Sequence, residues 1–80
     1  MSRLNQKIAD KKELEFAIFC IEQVAVFLEV DAERVFTALT KKSDILYGYI
    51  VPEYEVLHTQ SRDYIVREIL DVMRERSVEV

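Results

Sequence analysis

The sequence predicts an all-α protein, a compact bundle of three longer helices plus one short helix that a proline breaks. The 80 residues include only one Gly and one Pro, whereas all-β folds need many turn-forming residues. Hydrophobic residues make up 50% of the chain and charged residues 32%, which is typical of a folded globular domain. The apolar residues recur at helical spacing in the segments described below.

One domain is predicted over residues 13–76, between a basic, flexible segment (1–12) and a tail expected to fray (77–80). The segment 1–12 has four cations and one Asp, a net charge of +3, which leaves −7 for the other 68 residues. An acidic chain disfavours nucleic-acid partners, because phosphate binding needs clustered cations. The polar N-terminal stretch does not resemble a signal peptide, and no apolar run approaches the roughly 20 residues that span a bilayer. We therefore expect a cytoplasmic protein that does not bind membranes.

The first helix is predicted over residues 12–30. Its glutamates Glu15, Glu22 and Glu29 are seven residues apart. At 100° per residue they lie within about 40° of one another and form one polar row. The rest of the circumference is apolar, so the helix is either the central helix of the bundle or part of an interface.

Capping residues divide the middle of the chain. Asp31 is predicted to cap a second helix, 32–41, through its carboxylate, which can accept hydrogen bonds from N–H groups two or three residues on. Ser43 or Asp44 can cap a short third helix. The chain should bend at Pro52, because proline disfavours helical geometry in the residue before it.

The last helix is predicted to follow a cap at Ser61 or Thr59 and to run to about Arg76. Its core-facing residues should be Ile65, Ile69, Val72 and Met73, which share one helical face.

The sequence offers little catalytic or metal-binding chemistry. One His and one Cys cannot assemble the usual zinc ligand sets, and one Gly cannot form a phosphate-binding loop. Cys20 lies in an apolar run, where a thiol acts as a small hydrophobe. A Cys20–His58 nucleophile pair would need a polar, partly open site. We therefore expect no enzymatic activity, no metal and no cofactor.

Residues 54–61 place an aromatic ring, an imidazole, hydroxyls and an amide at a helix end. His58, Thr59 and Gln60 could form a recognition patch. Alternatively, His58 and Thr59 satisfy backbone groups at a helix junction. The sequence leaves both interpretations open.

The first helix is more apolar than four short helices can easily cover. Leftover apolar surface is stabilised by burial against a partner at about 25 cal/mol per Å². The sequence therefore predicts a non-enzymatic module that binds another protein or itself as a homodimer. The expected interaction face consists of Phe16, Phe19, Val26, Phe27, Tyr49 and Tyr54. Phe19 and Val26 are the sharpest candidates, since they border the glutamate row.

The alternative function is that of a small DNA-binding transcriptional regulator. The predicted helices 32–41 and 44–51 have about the spacing of a helix-turn-helix. However, residues 44–51 contain no Arg, Lys, Asn or Gln, and base and phosphate contacts need those donors. Nucleic-acid binding is therefore disfavoured.

Three stretches carry a family resemblance: EFAIFCIE at 15–22, YEVLHTQS at 54–61 and DYIVREI at 63–69. Through them, residues 13–75 resemble the bacterial family called domain of unknown function 3791. The resemblance implies a short, helical, cytoplasmic bacterial protein and supplies no catalytic assignment. It also implies pairing with the product of a neighbouring gene, in the manner of an antitoxin.

Overall fold

The computed structural model describes residues 10–80, so most of the segment expected to be flexible lies outside the described residues. Within the described part there are helices and no strand, which confirms the all-α prediction. The elements are α1 (Lys11–Leu28), α2 (Ala32–Thr40), the π-helical turn π1 (Leu46–Ile50), α3 (Tyr54–Leu57) and α4 (Arg62–Glu75).

Helix α1 is the central element and packs against both α2 and α4. Phe19 lies beside Arg62, and Leu28 lies beside Leu70 and Met73, so α1 and α4 run in the same direction. The buried face of α1 consists of Phe16, Ala17, Cys20, Ile21, Val24 and Ala25. These residues recur at i, i+1, i+4 and i+5, so they lie on one half of the helix.

Main-chain and side-chain caps set both ends of α1. The Asp10 carboxylate accepts hydrogen bonds from the N–H groups of Lys12, at 2.7 Å, and Glu13, at 3.4 Å. At the other end Glu29 is left-handed, with φ 58°, and the Val30 N–H donates to the Ala25 carbonyl. This is a Schellman motif, which ends a helix. The helix therefore stops two residues before the predicted end.

Asp31 precedes α2 as predicted, but its side chain makes no capping hydrogen bond. That part of the prediction was wrong. The Asp31 main-chain carbonyl accepts from the N–H groups of Arg34 and Val35, while its exposed carboxylate stays in water.

The segment before Pro52 is a π-helical turn, where the sequence predicts an α-helix. The Val51 N–H donates to the Leu46 carbonyl five residues earlier. The two capping candidates were Ser43 and Asp44. The hydroxyl of Ser43 accepts a hydrogen bond from the Ile45 N–H. Leu46, in this turn, is fully buried. The wider geometry of the turn accommodates the packing of its side chain in the core.

Ser61 caps α4, because its hydroxyl accepts a hydrogen bond from the Tyr64 N–H at 3.2 Å. The helix ends as α1 does, with Ser77 at φ 57° and the Val78 N–H donating to the Met73 carbonyl.

The sequence predicts that residues 77–80 fray, whereas the structure places them against α2 and its C-terminal turn. The Arg34 guanidinium donates to the Val80 carbonyl, and the Lys42 ammonium donates to the Glu79 carbonyl. Val78 and Val80 also pack on the core. The turn at Ser77 directs the chain back, and this makes those contacts geometrically possible.

Candidate interaction surface

Four large hydrophobic side chains are exposed on α1. Three of them, Phe19, Val26 and Phe27, lie on the side of α4 and form what we call the α1 face. Ile18 is 40% exposed, Phe19 37%, Phe27 64% and Val26 71%. Ile18, Phe19 and Val26 lie outside the half of α1 that the bundle buries, whereas Phe27 lies within that half near its C-terminal end and is exposed beside α4. The two interpretations of α1 therefore coexist in one helix: it is central to the bundle, and it leaves an apolar face uncovered.

A groove runs between the α1 face and α4. Val66 and Leu70 contribute apolar side chains from α4, and Val66 is only 6% exposed. The groove has a volume of about 460 Å³ and is lined by Gln23, Val26, Phe27, Arg62, Asp63, Val66, Arg67 and Leu70. Phe19 extends it towards Ser61 at the start of α4. The α1 face and the groove thus form one continuous apolar surface.

Charged residues border this surface on both sides. The exposed glutamate row (Glu15, Glu22 and Glu29) follows one edge of the α1 face. On α4, Arg62 lines the N-terminal end of the groove, and Asp63 and Arg67, which share one side of that helix, line its outer edge.

The three glutamates form no ion pair within the described part of the chain, and the α4 border carries charges of both signs. The ion pair found there joins Arg74 to Asp71, at 2.7 Å, and involves no residue of the two borders. Exposed charges without an internal partner are free to pair across an interface.

Of the six predicted interaction residues, three meet at this surface: Phe19, Val26 and Phe27. Phe16 is 8% exposed and belongs to the core, where its ring meets Tyr54 edge-on with centroids 5.4 Å apart. Phe19 stacks on Phe16 at 6.3 Å, so it connects the surface to the core.

The two predicted tyrosines are half-buried and pack on the core. The Tyr49 hydroxyl donates a hydrogen bond to Glu68 at 3.4 Å. Burial raises the pKa of Tyr49, and the neighbouring Glu68 carboxylate raises it further. Tyr49 therefore remains a neutral donor, and both tyrosines are structural contributors in this fold.

Sequence reasoning missed the contribution of α4 to this surface. Val66 and Leu70 flank the predicted core stripe of their helix, but the sequence does not indicate that α1 is their neighbour. Ile18 was also missed. It lies about 40° from Glu22 at 100° per residue, on the side away from Val26 and next to Ala32 and Phe36 of α2.

In the candidate recognition patch (His58, Thr59 and Gln60), two of the three side chains make hydrogen bonds to main-chain carbonyls of α3. His58 Nδ1 donates to the Tyr54 carbonyl at 2.7 Å; a carbonyl can only accept, so this nitrogen carries the proton. The Thr59 hydroxyl donates to the Val56 carbonyl at 2.8 Å. Gln60 is exposed. These contacts support the interpretation of His58 and Thr59 as residues that complete the end of α3.

Cys20 lies in the core, fully buried, and burial raises its pKa to about 12. His58 is exposed, so the structure does not bring the two together in an open polar site. Residues 10–80 contain no group of three or more His, Cys, Asp or Glu arranged to hold a metal ion. In the same residues, no helix is long and apolar enough to cross a membrane.

The fold and the surface define a small all-α domain with an open apolar groove between charged borders. The chain belongs to the family described as Protein of unknown function (DUF3791), whose model matches residues 15–76. The family resemblance drawn from the sequence is thereby confirmed. Comparison with curated proteins and with solved structures gave no match.

Proposed function

We propose that this protein is a non-enzymatic protein–protein interaction module that binds through the α1 face and the adjoining groove. The observation that carries the proposal is the exposure of Val26 (71%) and Phe27 (64%) beside a groove lined by further apolar side chains. Burying one such side chain contributes roughly 1.5–3 kcal/mol. A contiguous apolar surface with a polar rim is the usual anatomy of a binding site.

The charged borders define what a partner must carry. A partner needs apolar side chains for the groove, cations opposite Glu22 and its row, and groups of both signs opposite Asp63 and Arg67 on α4. The partner we propose is a second copy of the chain or the product of a neighbouring gene, as in an antitoxin-like pair. The cytoplasm is the compartment in which we place this interaction.

Val26 offers the sharpest test. We expect Val26→Glu to abolish self-association, or capture of a stoichiometric partner from lysate of the source organism, because a carboxylate would be buried without a partner. Light scattering on the purified species measures this. Val56→Glu is the matched control, since Val56 is 57% exposed on α3 and outside the groove lining. Phe19→Glu is less suitable, because Phe19 also stacks on the core.

Both variants should retain the wild-type circular dichroism and thermal midpoint, because both valines are exposed. Equal weakening of binding by the two substitutions would contradict a role for the α1 face. A wild-type protein that stays monomeric and captures nothing would contradict the module itself. Salt-sensitive binding of DNA would then favour the alternative, a small transcriptional regulator.

A further inference from the structure

We propose that the groove beside the α1 face takes an amphipathic α-helix of another protein, about three turns long, whose apolar stripe is bordered on one side by lysine or arginine. The inference rests on the proposed function, because it names what that surface binds. Three features of the surface support it: its length, the absence of a free sheet edge among residues 10–80, and the charges along its two edges.

The groove follows most of the length of α4. At the start of α4 it opens beside Phe19. At the other end a further hollow shares Leu70 with the groove, reaches Met73 and Arg74, and is closed by the tail, 77–80. At 100° per residue, Met73 and Arg74 lie within about 60° of Leu70, so both hollows open on the same side of α4. The trough from the first residue of α4 to Arg74 is about 18 Å long, which is the length of a helix of about 12 residues.

The walls of the groove offer no backbone groups to an extended peptide. They consist of side chains on α1 and α4, whose interior N–H and C=O groups bond within their own helices. Residues 10–80 contain no strand to whose edge a peptide could be added. An extended segment in the groove would therefore bury N–H and C=O groups without partners, which is unfavourable. A helix pairs these groups internally and presents only side chains, so the groove fits a helix.

The acidic edge of the α1 face specifies one flank of that helix. At 100° per residue, Val26 lies about 40° and Phe19 about 60° from Glu22, both towards α4. Glu22 therefore stands directly outside the apolar row, where it is exposed and joins no ion pair in the described residues. Glu29 repeats the charge about 10.5 Å further along. A helix seated on Phe19 and Val26 brings one flank over these carboxylates, which attract lysine or arginine and repel acidic side chains.

The opposite edge does not select one sign of charge. Asp63 and Arg67 lie four residues apart on one side of α4 and line the outer edge of the groove. The flank above them is therefore neutral or of mixed charge. The exposed apolar row among residues 10–80 lies on α1 and is itself bordered by glutamates. A second copy of that row would bring like charges to Glu22, which favours a helix of another protein.

Two synthetic peptides of about 14 residues test this chemistry. Both carry leucines at i, i+3, i+4 and i+7 and glutamines on one flank. On the other flank the basic peptide has lysines seven residues apart, and the acidic peptide has glutamates in their place. We expect the wild-type chain to bind the basic peptide about fivefold more tightly at low salt, because attraction replaces repulsion at exposed pairs. Fluorescence anisotropy of labelled peptides measures the two dissociation constants, and added salt should narrow the difference.

Substitutions in the protein and in the peptide locate the contacts. Glu22→Lys should remove the preference for the basic peptide, because the new ammonium repels its lysines. Glu55→Lys is the control and should keep the wild-type preference, since Glu55 is exposed on α3 and outside the groove lining. Val26→Glu should abolish the binding of both peptides, because it places a carboxylate under their leucines. A central proline in the basic peptide should also abolish binding, because proline breaks the helix.

The outcomes separate this inference from the proposed function. Equal binding of the basic and acidic peptides at low salt would overturn the cationic flank, and undiminished binding of the proline peptide would overturn the helix. A wild-type chain that binds neither peptide, yet captures a protein from lysate in a Val26-dependent way, would overturn this inference and keep the interaction module. Self-association through Val26 without peptide binding would do the same and name a second copy as the occupant. Loss of capture, self-association and peptide binding together would remove the proposed function as well.

Discussion

The imidazole ring of His58 lies stacked on the phenol ring of Tyr54, with 4.4 Å between centroids and 11° between planes. The same imidazole donates its Nδ1 proton to the Tyr54 carbonyl at 2.7 Å. Tyr54 in turn meets Phe16 edge-on at the core. His58 therefore closes α3 and holds the connection to α4 against the bundle.

We expect His58→Ala to lower the free energy of unfolding by roughly 0.5–1.5 kcal/mol, the usual contribution of one hydrogen bond. Chemical denaturation measures the change. Gln60→Ala is the control and should stay within about 0.5 kcal/mol of wild type, because Gln60 is an exposed surface residue. Unchanged stability with lost partner binding would instead make His58 a recognition residue.

The two helix N-termini allow a paired test of capping. Ser61→Ala should destabilise the protein by about 1 kcal/mol, because it removes the side-chain oxygen that accepts from Tyr64 N–H. Asp31→Ala should have the smaller effect, about 0.5 kcal/mol or less, since its carboxylate makes no capping bond and contributes only its charge near the helix end. Thermal or urea denaturation compares them. Equal losses would show that Asp31 caps in solution.

Glycine should have opposite effects at two glutamates of the same row. Glu29→Gly is expected to stabilise the protein by up to about 1 kcal/mol, because Glu29 occupies the left-handed region, which glycine adopts without strain. Glu22→Gly, inside α1, should destabilise it by about 1 kcal/mol through lost helix propensity. Unfolding at low protein concentration, where dimer formation does not contribute, measures both. Destabilisation by Glu29→Gly would contradict the left-handed assignment.

Burial of Cys20 predicts both its reactivity and an alkaline limit to stability. The pKa of Cys20 is raised from 9.0 to about 12 by burial, so the folded state favours the neutral thiol. Above pH 9 the unfolded chain loses this proton first, and the contribution of Cys20 to stability should fall as pH rises towards 12. At pH 8 a thiol reagent should label Cys20 only as fast as the protein opens.

Denaturant should therefore accelerate labelling of Cys20 in step with unfolding. Cys20→Ala is the control for the pH profile, and its stability should decline less between pH 9 and 12. Rapid labelling of the folded protein would show that the thiol is accessible.

Some residues of the candidate site could be predicted from local sequence, and others depend on the tertiary packing. Phe19 and Val26 could be predicted because their angle to the glutamate row depends only on helix periodicity. Phe16 was grouped with them, but the packing of Tyr54 against it turned it into a core residue. The contribution of Arg62 and Arg67 could not be predicted, because it depends on α4 lying beside α1, and their separation in sequence carries no such information.

What the sequence by itself determined is local: the helical class, the extent of α4 and the row of glutamates. These depend on residue spacing, on the scarcity of Gly and Pro and on short-range capping. The tertiary structure decided the rest: the π-helical turn before Pro52, the return of the chain at Ser77, and the half of α1 that stays exposed. Each of these depends on which apolar side chains other elements can cover, because burial is a property of the packed fold and not of any one segment.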